Sequence, residues 1–204
     1  HKVIALSNTK VEIVKKDNIF IYIGIPKTAG GAFQYSLSLL SSLSDVDNVK
    51  LIIRDDEVKD YILENTLFRD EDIIFVPNSN LEIYFELLYR KLSLPIQLYR
   101  RLFCKIFSAN RQISELDGCC IYPAQDAKAY LVPQKWVIGT VHDLMHLYEY
   151  RFKELSSTGI RNSHYQSISR YCDVILVDSE LGKTQLVDNY TLQSKDKVKV
   201  LPFC

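Results

Sequence analysis

Three short stretches of this chain carry residues able to do chemistry. In Ile21–Leu40, IYIGIPKTAGGAFQYSLSLL, an apolar run meets a Pro-Lys-Thr-Ala-Gly-Gly turn and a helical pattern follows at once. The first N–H groups of a helix lack partners within it and carry roughly half a positive charge, which suits a phosphate or sulfate. Gly30 and Gly31 would let backbone approach such an anion with no Cβ in the way, and Lys27 adds a mobile cation. Taken alone, the turn serves equally well as a tight bend that binds nothing. The second stretch is His142-Asp143, placed directly after the apolar run Trp136–Val141. A histidine can give or take a proton near neutrality, and an adjacent carboxylate can orient it. His146 lies four residues on, at the spacing of metal ligands on a helix, but no third ligand accompanies it and no metal site is expected. The third stretch is Ser179-Glu180, after Val174–Val177. Here a helix N-cap and its first acidic residue are the expected roles, with ligand contact the lesser one.

The elements that must position these residues alternate. Strands are expected at Lys2–Leu6, Val11–Val14, Ile19–Ile25, Val49–Ile53, Ile73–Val76, Cys119–Tyr122, Trp136–Val141, Val174–Val177 and Val198–Leu201. The first two read as a hairpin around Ser-Asn-Thr. Helices are expected from about Phe33 to Leu43, Asp55 to Asn65, Leu81 to Leu92, Pro95 to Phe107, Arg161 to Tyr171 and Leu181 to Tyr190. Continuous apolar strands separated by helices are the pattern of a parallel sheet buried on both faces. The prediction is therefore α/β: a single domain over residues 1–204, with a doubly wound, mostly parallel, Rossmann-like sheet and helices on both faces. In such sheets ligands bind beyond the carboxyl ends of the strands. That rule singles out Pro26–Gly31, Thr140–Leu147 and Asp178–Lys183.

Bulk composition narrows the function classes. The 204 residues are 47% hydrophobic and 25% charged, as in ordinary globular domains, and the formal net charge is zero. No global field draws the chain to nucleic acid, and none is expected as a partner. No apolar run reaches the roughly 18 residues of a membrane span, and the first residues show no charged-then-apolar leader. The five cysteines, Cys104, Cys119, Cys120, Cys172 and Cys204, form no CxxC and are expected to be free thiols of a reducing compartment. The neutral total hides a dipole. Asp45–Glu86 is acidic, whereas Leu87–Ser114 contains no acidic residue and carries Arg90, Lys91, Arg100, Arg101, Lys105 and Arg111 among helically spaced leucines and phenylalanines. Two readings of that segment stand side by side: a core-facing helix with a solvated basic side, or a helix presenting Arg100, Arg101 and Lys105 to an anionic membrane surface.

Two family resemblances bear on these motifs. Ile25–Gly30 resembles the phosphosulfate-binding loop of carbohydrate sulfotransferases, although the later Arg-rich segment of those enzymes is missing. Over most of the chain, "WVIGTVHDLMHLYEYRFKEL", "CDVILVDSELGKTQLVDNY", "KVKVLPF" and the Gly30-Gly31-Ala32-Phe33-Gln34-Tyr35 start resemble the N-terminal half of GT-B glycosyltransferases of family 4, in the subgroup that carries HDLMH. Leu147 and Lys153 depart from it, standing where a basic residue and a proline are expected. The E-x7-E motif of that family's second domain is not found. The resemblance implies an N-terminal, acceptor-side domain, inactive alone, whose C-terminal nucleotide-sugar-binding domain is absent from the chain. Gly30, Gly31 and Lys27 would face the donor diphosphate and the acceptor. His142 would face the sugar, Asp143 would orient either His142 or a loop amide, and Tyr35, His146, Ser179 and Glu180 would lie on the acceptor side. The implied reaction is retaining transfer from a nucleotide-sugar to a glycan or lipid-linked acceptor, in bacterial surface polysaccharide assembly. The nucleotide-sugar is substrate and no cofactor is implied. The implied location is cytoplasmic, with peripheral contact at the inner face of the membrane. A sulfotransferase and a non-catalytic sugar- or partner-binding module are the alternative readings.

Overall fold

The structure, a computed structural model, describes residues 4–6, 9–11, 18–92, 95–148 and 158–202. Strands β1 (Ile4–Leu6) and β2 (Thr9–Val11) form a separate antiparallel pair with Ile4 opposite Val11. The second strand of this hairpin thus comes earlier than the sequence suggests, and residues 12–14 lie outside the described set. The main sheet has seven strands: β3 (Asn18–Ile23), β4 (Val49–Ile53), β5 (Ile73–Phe75), β6 (Gly118–Ile121), β7 (Trp136–Val141), β8 (Val174–Val177) and β9 (Val198–Val200). Every pairing in it is parallel, in the order β5-β4-β3-β6-β7-β8-β9. The helices are α1 (Gly31–Leu43), α2 (Asp56–Asn65), α3 (Asn80–Leu92), α4 (Ile96–Ile106), α5 (Ser108–Ser114), α6 (Lys128–Leu131), α7 (Met145–Tyr148), α8 (Thr158–Tyr171) and α9 (Glu180–Asn189). The expected doubly wound α/β architecture is what the chain adopts. The short helices α5, α6 and α7 have no counterpart in the sequence reading, because four to seven residues are too few to establish an apolar period.

The two-residue period of β3 explains why helices cover both faces. Ile19, Ile21 and Ile23 belong to a buried cluster with Phe33, Leu40 and Leu43 of α1 and Val58 and Ile62 of α2. Phe20 and Tyr22 belong to the opposite cluster, with Tyr99 and Phe103 of α4 and Tyr165 and Ile168 of α8. Each fully buried side chain of this kind contributes roughly 1.5–3 kcal/mol of transfer free energy. Apolar at every position from Ile19 to Ile23, the strand cannot leave either face to water.

Strand order also locates the ligand crevice. Successive strands step from β3 through β4 to β5 on one side, and from β6 through β9 on the other. The reversal lies between β3 and β6, so the connections leaving their carboxyl ends diverge and open a crevice there. Beside it sits a buried ionic cluster. Arg54, directly after β4, pairs with Glu82 of α3 and donates to the Pro77 carbonyl at 3.2 Å. Lys128 of α6 reaches Glu82 at 3.5 Å and pairs with Glu86. Burial alone would raise the Glu82 carboxyl, but the Arg54 hydrogen bond and the Lys128 charge outweigh it and hold the group below its ordinary value.

Candidate functional site

The crevice is floored by the start of α1. Pro26 is extended, and a 3-10 turn over Lys27–Ala29 closes with Ala29 N–H donating to the Pro26 carbonyl at 3.0 Å. Gly30 then adopts φ 61° and ψ −124°, a conformation that side chains with a Cβ rarely enter. This reversal aims its carbonyl into the helix, where it accepts from Phe33 and Gln34 at 3.1 Å each. No side chain caps α1, and its first turn has no acidic residue. Gly31 and Ala32 therefore bring the positive end of a thirteen-residue helix to the wall of an open cleft of about 510 Å³. A Cβ on Gly31 would meet nothing within 4 Å, so that glycine leaves the cleft unobstructed.

The other wall comes from the ends of β6, β7 and β8: Ala124, Gln125, His142, Asp143 and Asp178. The His142 ring is held on three sides. Nε2 lies 2.8 Å from the Pro123 carbonyl, Nδ1 lies 3.3 Å from Asp178 Oδ1, and the ring meets the Tyr35 ring edge-on at 4.8 Å. A carbonyl can only accept, so Nε2 carries a proton. Asp178 also only accepts. Nδ1 therefore pairs with it when the ring is doubly protonated, and in the Nε2-protonated neutral ring both atoms are acceptors that a hydroxyl approaching from the cleft could serve. His164 makes the contrast: Nε2 faces the Gln125 carbonyl at 3.0 Å, and Nδ1 faces the Tyr130 hydroxyl, which can donate, at 2.9 Å. That ring is satisfied neutral and fastens the Pro123–Asp126 loop. Gln125 Oε1 accepts from the Tyr165 hydroxyl at 2.5 Å, and Gln125 also lines the cleft.

The structure brings Gly31, His142 and Asp143 to one cleft, leaves Gly30 as the cap residue of α1 just outside its lining, and redistributes the remaining expected residues. Of its two expected partners, Asp143 takes a loop amide and not His142. Its Oδ1 accepts from Met145 N–H at 3.1 Å and opens α7, and Asp178, the first residue of the third strand-end segment, takes the orienting position. Lys27 turns toward α2, with Nζ 3.8 Å from Glu57 Oε2 and 5.8 Å from the Tyr61 ring centre, and does not line the cleft. Tyr35 is buried behind His142 and supports it from within. His146 is buried against the Tyr165 ring, with Nε2 2.9 Å from Asn162 Oδ1, and does not line the cleft. Ser179 caps α9 by accepting from Gly182 N–H at 3.1 Å, and Glu180 is the first residue of that helix. Ser179 also lines a smaller depression of about 240 Å³, which shares His142 and Asp143 with the main cleft. Arg100 is not an outward-facing cation: Nε donates to the Tyr130 carbonyl at 2.8 Å and the guanidinium lies over Tyr171 at 5.2 Å. Arg101 and Lys105 are exposed. Lys153 lies outside the described residues. Among the described residues no three His, Cys, Asp or Glu side chains gather as metal ligands.

Asp178 and Gln125 were within reach of sequence reasoning. Both follow strands, Gln125 two residues beyond the Pro123 that ends the run at β6. What was missing was strand order, which makes β6 the neighbour of β3.

Chemically the cleft divides in two. The α1 end offers backbone N–H groups and positive potential to an anion. The far end offers two carboxylates, an imidazole and an amide, a set suited to hydroxyl groups rather than to a second phosphate.

No family model matches the chain, and no curated relative does. Among solved structures it is similar to Anabaena Alr3699/HepE in complex with UDP-glucose, with a TM-score of 0.57 and 12% identity over 92% of this chain and 44% of that one. The same protein in complex with UDP and glucose gives a TM-score of 0.57 and 12% identity, covering 92% of this chain and 45% of that one. The chain thus spans less than half the length of those structures. The similarity is one of fold: a Rossmann-like α/β unit matching half of a larger protein.

Proposed function

We propose that this chain is the N-terminal, acceptor-side domain of a GT-B glycosyltransferase, of the family 4 type that its HDLMH and GGAFQY motifs resemble. The observation that carries the reading is the two-ended cleft at the sheet's switch point, with the uncapped α1 N-terminus facing the His142–Asp178 pair. A nucleotide-sugar has the same two ends, a diphosphate and a polyhydroxylated ring. The fold shared with a protein that binds UDP-glucose adds support, as does the chain's match to under half of it.

In this reading the α1 amides stabilise charge growing on the leaving diphosphate. His142 and Asp178 hold a sugar hydroxyl, with His142 Nε2 tied to Pro123 so that only its Nδ1 side is available. A second domain supplies the nucleotide pocket and closes the cleft. A retaining same-face reaction suits this wall, because the leaving phosphate then takes the acceptor proton and His142 need not act as a free base. The acceptor is a glycan or lipid-linked glycan, as in bacterial surface polysaccharide assembly. The sulfotransferase reading is disfavoured by Lys27, which is drawn toward Glu57 and Tyr61.

Gly31→Val tests the proposal with little risk to folding, since the added atoms enter open space. Titration of this chain with UDP-glucose, followed by amide NMR, is expected to shift the Gly30–Phe33 amides, and Gly31→Val is expected to abolish those shifts. In the protein carrying both domains, Gly31→Val and Asp178→Asn should each lower kcat/KM for sugar transfer. Adenosine phosphosulfate binding more tightly than UDP-glucose and lost in Lys27→Ala would transfer the assignment to sulfotransfer. Transfer rates unchanged in Gly31→Val and His142→Ala would leave a non-catalytic binding module.

A further inference from the structure

The crevice occupies only the middle of the sheet's ligand edge. All seven strands run parallel, so β5 delivers its carboxyl end to the same rim, three strand positions from β6 or about 14 Å away. Beyond Phe75 the chain keeps to that rim. Val76 N–H donates to the Ile53 carbonyl at 2.9 Å, and Asn78 N–H donates to the Arg54 carbonyl at 3.2 Å. Here the end of β5, the start of α3 and the junction of α4 with α5 enclose a second open depression of about 350 Å³, which shares no residue with the crevice. Asn78, Ser79, Ser108 and Gln112 line it, and among the described residues none of these four side chains has a hydrogen-bond partner. Phe75 and Phe107 add apolar wall beside them.

The chemistry of the lining selects its ligand. Its one charged residue is Glu82, whose carboxylate is already taken by Arg54 and Lys128 and so is not free to hold a cation. Among the described residues no lysine, arginine or histidine lines it, so a phosphate or a nucleotide would find no counter-charge. Uncommitted amides and hydroxyls beside apolar surface suit a neutral ligand with hydroxyls on its edges and C–H groups on its faces, which describes a sugar ring. We infer that this depression is a second carbohydrate site, holding a distal ring of an oligosaccharide whose end lies in the crevice. The separation is one that a single ring cannot span, but a short oligosaccharide can, running along the rim past the ends of β3 and β4. That this oligosaccharide is the acceptor rests on the sugar-transfer reading; that the depression holds a sugar does not.

The test is binding of the purified chain to an array of bacterial-type oligosaccharides, from disaccharides to hexasaccharides, with each bound glycan then titrated and followed by amide NMR. The longer glycans should bind more tightly than the disaccharides and should shift the amides of Asn78, Ser79 and Gln112 together with those of the crevice. Asn78→Ala/Gln112→Ala, at exposed positions, should lower affinity for the longer glycans at least about tenfold, as the loss of two hydrogen bonds would. It should leave the disaccharides and the UDP-glucose shifts at Gly30–Phe33 unchanged. Circular dichroism checks that the variant is folded. In the protein carrying both domains, the double variant should raise KM for long acceptors and leave kcat as it was. No glycan bound anywhere on the array, or binding indifferent to the double variant, would overturn the inference, whatever UDP-glucose does at α1. Glycan shifts at Asn78 and Gln112 in a chain that ignores UDP-glucose would uphold the sugar site and overturn the transfer reading instead.

Discussion

Removing the Glu82 carboxylate should cost this protein more than any surface change. The Arg54 side chain is fully buried and that of Glu82 is 2% exposed, so neither charge has water as an alternative partner. In Glu82→Ala, Lys128 keeps Glu86, but among the described residues Arg54 is left with one hydrogen bond, to the Pro77 carbonyl. Breaking a buried pair from one side typically costs about 3–5 kcal/mol. For a chain of this size each kcal/mol lowers Tm by roughly 2–4 °C, so the expected fall is roughly 6–20 °C. Glu82→Gln keeps the shape and one acceptor oxygen and should cost less, about 1–3 kcal/mol. The pH dependence has a definite sign. Because the folded-state carboxyl sits below its ordinary value of 4.5, the stabilisation is fully present above that value and is lost as pH falls through the lower folded one. Urea unfolding at neutral pH and at successively lower pH measures both effects. A Glu82→Ala variant within about 1 kcal/mol of wild type at neutral pH would refute the argument, as would an unchanged acid slope, since either would mean that Arg54 finds another partner or water.

Two further outcomes follow from local geometry. Gly24→Ala would place a Cβ 2.7 Å from Asp126 Oδ2 and against the Tyr22 ring, beneath the crevice, and should cost roughly 1–3 kcal/mol by thermal melting. Gly30→Ala, whose Cβ meets nothing, should cost only the strain of its positive φ, about 1–2 kcal/mol. Among the buried thiols, burial pushes Cys120 and Cys172 up to about 12, so neither should react with a thiol reagent at pH 8 unless the chain is unfolded. Cys104, half-buried, should be modified ahead of them, as peptide mass mapping would show.

Much of this protein follows from local sequence. β3, β4, β7 and β8 are legible because each is dominated by a short apolar run, such as Ile19–Ile23, Leu51–Ile53 and Val174–Val177, that a strand buried on both faces hides. α1 and α9 are legible because Gly30 and Ser179 mark their starts, and the glycine turn announces an open helix end without any knowledge of what lies opposite. Helical spacing in α4 shows that one side must be buried, but not which cations stay outside. Arg100 and Arg101 are neighbours in the chain, yet one closes onto the Tyr130 carbonyl and the other faces water.

Tertiary structure decided who meets whom. Asp178 rather than Asp143 orients His142, because β7 and β8 are neighbours and their ends lie side by side; adjacency along the chain instead turned Asp143 into the start of α7. Lys27 left the anion end for Glu57, and His146 became part of the packing around Tyr165. Local propensity and apolar period act over a few residues, and they specified elements and strand ends. Pairings such as His142–Asp178 and Arg54–Glu82 span 36 and 28 residues, and only the order of strands in the folded sheet brings them within hydrogen-bonding reach.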